Sequence, residues 1–192
     1  ADKNNIVLVF DEISSGFRQS FGGLHKLCPV EPDIALFAKA IGNGYPISAI
    51  IGKRKVMDSA QSSFISSTFW TDRVGPVAAL KTLEVMEDIK SWEIITEIGK
   101  KIQKNWKDLA KSHDLDITVN GLPAISSFSI NSNKFLEYKT FITQEMLKKG
   151  FLATNLIFTC IDHDNDVLEK YFSEMDKLFS IIKACENEVQ SI

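Results

Sequence analysis

Two side chains of this sequence, Asp11 and Lys39, have the types and settings that amine and carbonyl chemistry uses. Asp11 follows the apolar run Ile6-Val7-Leu8-Val9-Phe10, and Lys39 follows Ile34-Ala35-Leu36-Phe37-Ala38. Continuous apolar runs of this length predict short strands buried on both faces, as in the middle of a parallel sheet. Open α/β sheets take up ligands at the carboxyl ends of their strands. Taken alone, Asp11 is as readily a loop acid or a helix cap, and Lys39 reads as a solvated lysine at a strand edge. Together they are stronger. A lysine in a protected site has a lowered pKa and attacks carbonyls. A carboxylate beside it is what pyridoxal-phosphate chemistry adds: the acid keeps a pyridine nitrogen protonated while the amine engages the aldehyde.

The elements that must position this pair follow from the pattern. A Gly-containing stretch with Pro29 and Pro32 separates the two runs and excludes a continuous helix there. After Lys39 come the turn Gly42-Asn43-Gly44-Tyr45-Pro46, a third apolar run over 47–51, and a polar loop over 62–71. A helix is predicted from residue 74, with Ala79, Leu80, Leu83 and Met86 on one face, and a second over 92–113 with Ile95, Ile98, Ile102, Trp106 and Leu109 as its stripe. Half-buried strands are predicted over 116–119 and 124–130, a short helix over 140–149, a strand over 151–160, and a final helix over 164–188 with Asp164 as its cap. The order predicts an α/β part over 1–90 and a linking helix with a smaller α+β part over 91–192. An interior-type strand so near the first residue leads to the expectation that further sequence precedes this stretch, or that another chain supplies it.

The motifs around the pair resemble a known family. Val9-Phe10-Asp11-Glu12-Ile13-Ser14-Ser15-Gly16-Phe17-Arg18 is similar to the "FDEVxxGFR" signature of class III aminotransferases. Pro32-Asp33-Ile34, with Lys39 and Gly42-Asn43-Gly44-Tyr45-Pro46-Ile47-Ser48-Ala49, resembles the family's "PDLxxxGKxxGGGxPxGA". Within that class the likeness is greatest to glutamate-1-semialdehyde 2,1-aminomutase-like proteins, and Phe21-Gly22-Gly23 continues it. The resemblance implies PLP fold type I: part of a large, mostly parallel domain, then a smaller C-terminal domain. It implies pyridoxal 5'-phosphate as cofactor, Lys39 as the catalytic Schiff-base lysine, Asp11 on the ring nitrogen, and Thr68 as a phosphate ligand reaching the other subunit of a homodimer. The activity implied is that of an aminotransferase or aminomutase acting on a small-molecule amino donor and carbonyl acceptor. The sequence departs from the family pattern in three places: Ala38 stands for the glycine before the lysine, Asn43 for the middle glycine of the triplet, and Trp70-Thr71-Asp72-Arg73-Val74-Gly75-Pro76 for the segment after the threonine.

Other residues read as structural or stay open. His25 and Cys28 have ligand-like spacing, but a lone pair does not define a metal site. Arg73 suits an anion or an ordinary surface ion pair, Glu12 a structural contact, and Arg18 a sheet-edge acid. Trp70 suits a pocket or an interface. The 192 residues are 44% hydrophobic and 24% charged with a formal net charge of −3, a globular composition without the basic face that nucleic acid needs. No run is long enough to span a bilayer, and three widely spaced cysteines fit a reducing cytoplasm. Two rival readings stand beside the enzyme. One is a non-catalytic PLP-fold binding or assembly module, which would bind cofactor without converting any amine. The other is an inactive fragment, which the mass of the purified protein would reveal.

Overall fold

The structure is a computed structural model that describes residues 1–188. It divides into two compact units, Ala1–Glu93 and Ile94–Ile192.

The first unit is built on three strands in the order β1 (Val9–Asp11), β2 (Ile34–Phe37) and β3 (Ala49–Gly52). β1 and β2 are parallel, with Asp11 opposite Leu36; β2 and β3 are antiparallel, with Phe37 opposite Ala49. Ala35 and Phe37 of β2 are buried with Ile41 and Ala79, and Phe17, Ile47, Ala49 and Leu83 pack against them. β1 is shorter and more open than its apolar run predicts, and Val9 is 49% exposed. The reason is its place at the edge of this sheet, where only β2 pairs with it. Asp33 ties the three strands together at the end opposite Asp11. Its carboxylate accepts from the Leu8 N–H at 2.9 Å and from Lys53 Nζ at 2.9 Å, while its backbone bonds Leu8 and Lys53. The Leu8 bond and the Lys53 ammonium hold that carboxyl below its usual range.

A short helix, α1 (Arg54–Met57), and the longer α2 (Val74–Ile89) complete the unit. The buried line of α2 is Gly75 and Ala79, continued by half-buried Leu83, whereas Leu80 is 70% exposed. The predicted face therefore included one residue too many: Leu80 lies about 100° around the helix from Ala79. Gly75 fixes the choice, because a Cβ there would meet Pro46 O at 3.0 Å and Ile47 Cβ at 3.2 Å.

The second unit carries most of α3 (Ser91–Ser112), the antiparallel sheet β4 (Ile117–Leu122), β5 (Ile125–Ile130) and β6 (Leu156–Phe158), and the helices α4 (Phe135–Lys148) and α5 (Asn165–Glu186). Asp164 caps α5 by accepting from the Val167 N–H at 2.8 Å. α4 begins five residues before its predicted start, and Tyr138, Ile142 and Met146, four residues apart, form its buried line. The core is aromatic. Trp106 is 4.9 Å from Phe128 between ring centroids, Phe128 is 5.7 Å from Phe179, and the Trp106 indole donates to the Tyr171 hydroxyl at 3.1 Å. Trp106 is fully buried. Trp106→Ala is expected to lower the unfolding free energy by about 3–5 kcal/mol. Trp106→Phe should cost less, about 1–3 kcal/mol, chiefly from the indole donor lost to Tyr171. Urea unfolding followed by circular dichroism checks both values.

Candidate active site

Parallel pairing decides where the acid and the amine fall. Asp11 ends β1 beside Leu36, and the Glu12 N–H donates to Leu36 O at 2.9 Å. Lys39 follows three residues after Leu36, so both residues leave the sheet at the same carboxyl edge. Asp11 is exposed, and its Oδ1 accepts from the Ile13 N–H at 3.0 Å. That bond orients the carboxylate, and its second oxygen accepts no hydrogen bond among the described residues. Lys39 is exposed and opens a 3₁₀ turn over Lys39–Ile41 with φ +50°. A left-handed backbone costs a residue with a Cβ about 1–2 kcal/mol. Such strain is concentrated at functional sites, where the surroundings hold it in place. The Lys39 ammonium donates to Ser14 Oγ, three residues beyond Asp11. The two ends of the predicted pair thus meet through one loop.

That loop is fixed from beneath by Glu12, which is 2% exposed. Its Oε1 accepts from the His25 N–H at 3.1 Å and pairs with His25 Nδ1 at 3.2 Å, and its Oε2 accepts from Ser15 Oγ. Burial works to raise the Glu12 carboxyl, but the hydrogen bonds from Ser15, the Leu24 and His25 backbone and the His25 ring outweigh it and hold the group below its ordinary value. Gly16 brings the loop against β2. A Cβ there would lie 2.6 Å from Phe37 Cδ1 and 2.7 Å from Glu12 O. Arg18 Nε donates to Ser14 O at 2.7 Å and steadies the residue that meets Lys39. Cys28 turns its thiol to the His25 carbonyl at 3.3 Å, so the ligand-like spacing of those two residues serves the loop itself.

The departures from the motif are accommodated by the backbone. Ala38 is extended, with φ −158° and ψ −157°, which any residue adopts. Asn43 has φ +44°, and asparagine tolerates the left-handed region better than most residues. Gly42 admits no substitute so easily, since a Cβ would lie 2.4 Å from Tyr45 O.

Thr68 is not brought to this pair. It lies exposed in the loop before α2 and makes no hydrogen bond among the described residues. Arg73 stands exposed at the start of α2, also without an ion pair among the described residues, and Asp72 Oδ1 accepts from the Val74 N–H at 2.8 Å.

The aminotransferase class-III family profile matches residues 1–163 of the 192. The chain belongs to the class III aminotransferase family. A 3-aminobutyryl-CoA aminotransferase from Cloacimonas acidaminovorans is 34% identical over 145 residues, covering 75% of this chain and 35% of its own length. A glutamate-1-semialdehyde 2,1-aminomutase from Hyperthermus butylicus is 28% identical over 202 residues, covering 95% of this chain and 47% of its own. Among solved structures, a Sphingopyxis protein in its PLP internal aldimine form superposes with a TM-score of 0.88 at 23% identity, over 96% of this chain and 45% of that one. The class III chain therefore has an α/β fold of PLP fold type I and spans less than half the length of these relatives.

Ser14 was not visible as a site residue in the sequence. It occupies one of the two variable positions of the family signature, so the resemblance carried no information about it. The signal that was available is spacing: three residues after Asp11, on a loop that Gly16 presses against the strand leading to Lys39.

Proposed function

We propose that, in a protein of the relatives' full length, this chain supplies the catalytic lysine and the ring-nitrogen acid of a pyridoxal 5'-phosphate-dependent aminotransferase or aminomutase. The observation that carries this is Lys39, strained to φ +50° and turned onto the loop that begins at Asp11. The donor set fits the cofactor: one amine, and one acid with an oxygen that has no partner among the described residues, at neighbouring strand ends. When bound, the cofactor supplies an aldehyde that condenses with amines and a ring that draws electrons from the adjoining carbon. Asp11 would hold a proton at the ring nitrogen. Lys39 Nζ would hold the cofactor at its aldehyde carbon, the carbonyl oxygen leaving as water, and once released would accept and return a proton at that nitrogen. Thr68 would contribute its hydroxyl to the phosphate.

Residues 1–90 would belong to the large cofactor domain and 91–192 to the linking helix and small domain. A homodimer would take the Thr68 loop of one subunit to the site of the other. In support, Phe64, Ile65, Phe69, Trp70, Val77 and Leu80 around that loop are all exposed, a density of apolar side chains that marks an interaction surface. A cytoplasmic location fits three free cysteines, two of them exposed, and the described helices include none long and apolar enough to cross a membrane.

The full-length protein with pyridoxal phosphate is expected to show a visible absorbance band that an amino donor bleaches and a carbonyl acceptor restores. A band that no amine in a broad panel alters would leave only a binding module.

A further inference from the structure

We propose that Ser14 is a positioning residue for Lys39, holding the amine in one place through both of its protonation states. The inference rests on the reading of Lys39 as the lysine that bonds the cofactor. Its own ground is the contact of the Lys39 ammonium with Ser14 Oγ and the scaffold around that contact.

A lysine that must be a nucleophile and then a proton carrier alternates between amine and ammonium. A carboxylate partner serves only one of these, because it stabilises the charged form and opposes the neutral one. A hydroxyl serves both: it accepts from the ammonium and, by rotating its own proton, donates to the lone pair of the neutral amine. Ser14 is that hydroxyl. Among the described residues no carboxylate stands within ion-pair distance of Lys39. The charged groups nearest in the chain are otherwise engaged: Asp11 with the Ile13 N–H, Glu12 with His25 and Ser15, and Arg18 with the Ser14 carbonyl. The hydroxyl is also held where it is needed. Arg18 grips the Ser14 backbone, the Gly16 N–H donates to Glu12 O at 2.8 Å, and Gly16 seats the loop on Phe37, two residues before Lys39. Ser14 is thus seated against the strand that leads to the lysine, and the place of its hydroxyl is set by the loop backbone.

The test uses the full-length protein freed of cofactor, with two probes. Pyridoxal phosphate carries the aldehyde and attaches to a lysine; pyridoxamine phosphate lacks it and reports only the rest of the site. Ser14→Ala is expected to slow attachment of pyridoxal phosphate by about tenfold, the worth of one hydrogen bond to a charged group, while affinity for pyridoxamine phosphate stays within about twofold. Ser14→Thr, which keeps the hydroxyl, should recover most of the attachment rate. The proposal is overturned if Ser14→Ala attaches at the wild-type rate. It is equally overturned if pyridoxamine phosphate affinity falls by the same factor, or if threonine is no better than alanine. Attachment that persists in Lys39→Ala is a separate failure, and it defeats the assignment of Lys39 itself.

Discussion

Lys39→Ala is expected to abolish covalent attachment of pyridoxal phosphate and to lower turnover by roughly four orders of magnitude. The size follows from the two roles carried by one nitrogen. Proton transfer by a positioned group contributes about 10²–10⁴, and the covalent hold on the cofactor is lost as well. Stability should change by less than about 0.5 kcal/mol, because the side chain is exposed and alanine inherits the same φ of +50°. Lys39→Arg separates charge from chemistry. It keeps a cation near Ser14, but a guanidinium does not lose its proton in this range and cannot act as the nucleophile. It should be as inactive as the alanine variant. Small primary amines added to Lys39→Ala should restore part of the turnover, since the rest of the site is untouched. Borohydride treatment followed by peptide mass mapping reads the attachment: the wild-type label falls on the peptide holding Lys39, and neither variant is labelled. A label of wild-type strength in the alanine variant would sink the assignment.

How much of this was legible in the sequence depends on which physics was local. The strand ends at Asp11 and Lys39 were readable because short apolar runs and their terminal polar residues lie within a few positions of each other. So was the buried line of α3, where a 3.6-residue period repeats over 22 residues. Direction in the sheet was not readable. β3 lies antiparallel to β2, and nothing in so short an apolar run encodes the sense of its pairing. The exposure of β1 was misjudged for the same reason, since a run suited to a sheet interior looks identical at an edge. Glu12 and Asp33 show the limit from another side. Each is a motif carboxylate that sequence reading left without partners. In the fold Glu12 gathers His25 and Ser15, and Asp33 gathers Leu8 and Lys53, groups up to 25 residues away. Those bonds fix the loop and the sheet from which Asp11 and Lys39 project.

Asp11→Asn isolates the charge of the acid from its shape. The Asp11 carboxylate accepts from the Ile13 N–H through Oδ1, and an asparagine carbonyl accepts the same bond, so the turn that launches the loop to Ser14 survives. Lys39, its strained backbone and its contact with Ser14 are equally undisturbed. Attachment of pyridoxal phosphate to Lys39 is therefore expected to remain. What disappears is the negative charge that holds a proton at the ring nitrogen, and with it the ring's capacity to take up electrons as the substrate proton leaves. Losing one preorganised electrostatic partner of this kind costs about 10²–10³ in turnover. Asp11→Glu keeps the charge but displaces it by one methylene, and an error of about 1 Å in a reacting group costs roughly 10². Both variants should thus bind and attach cofactor yet turn over slowly, the reverse of the Lys39 variants, in which attachment fails first. Single-turnover absorbance measurements with an amino donor distinguish the two patterns. If Asp11→Asn bleaches and recovers within about threefold of the wild-type rate, the charge at this strand end does no chemistry, and the acid belongs to the loop alone.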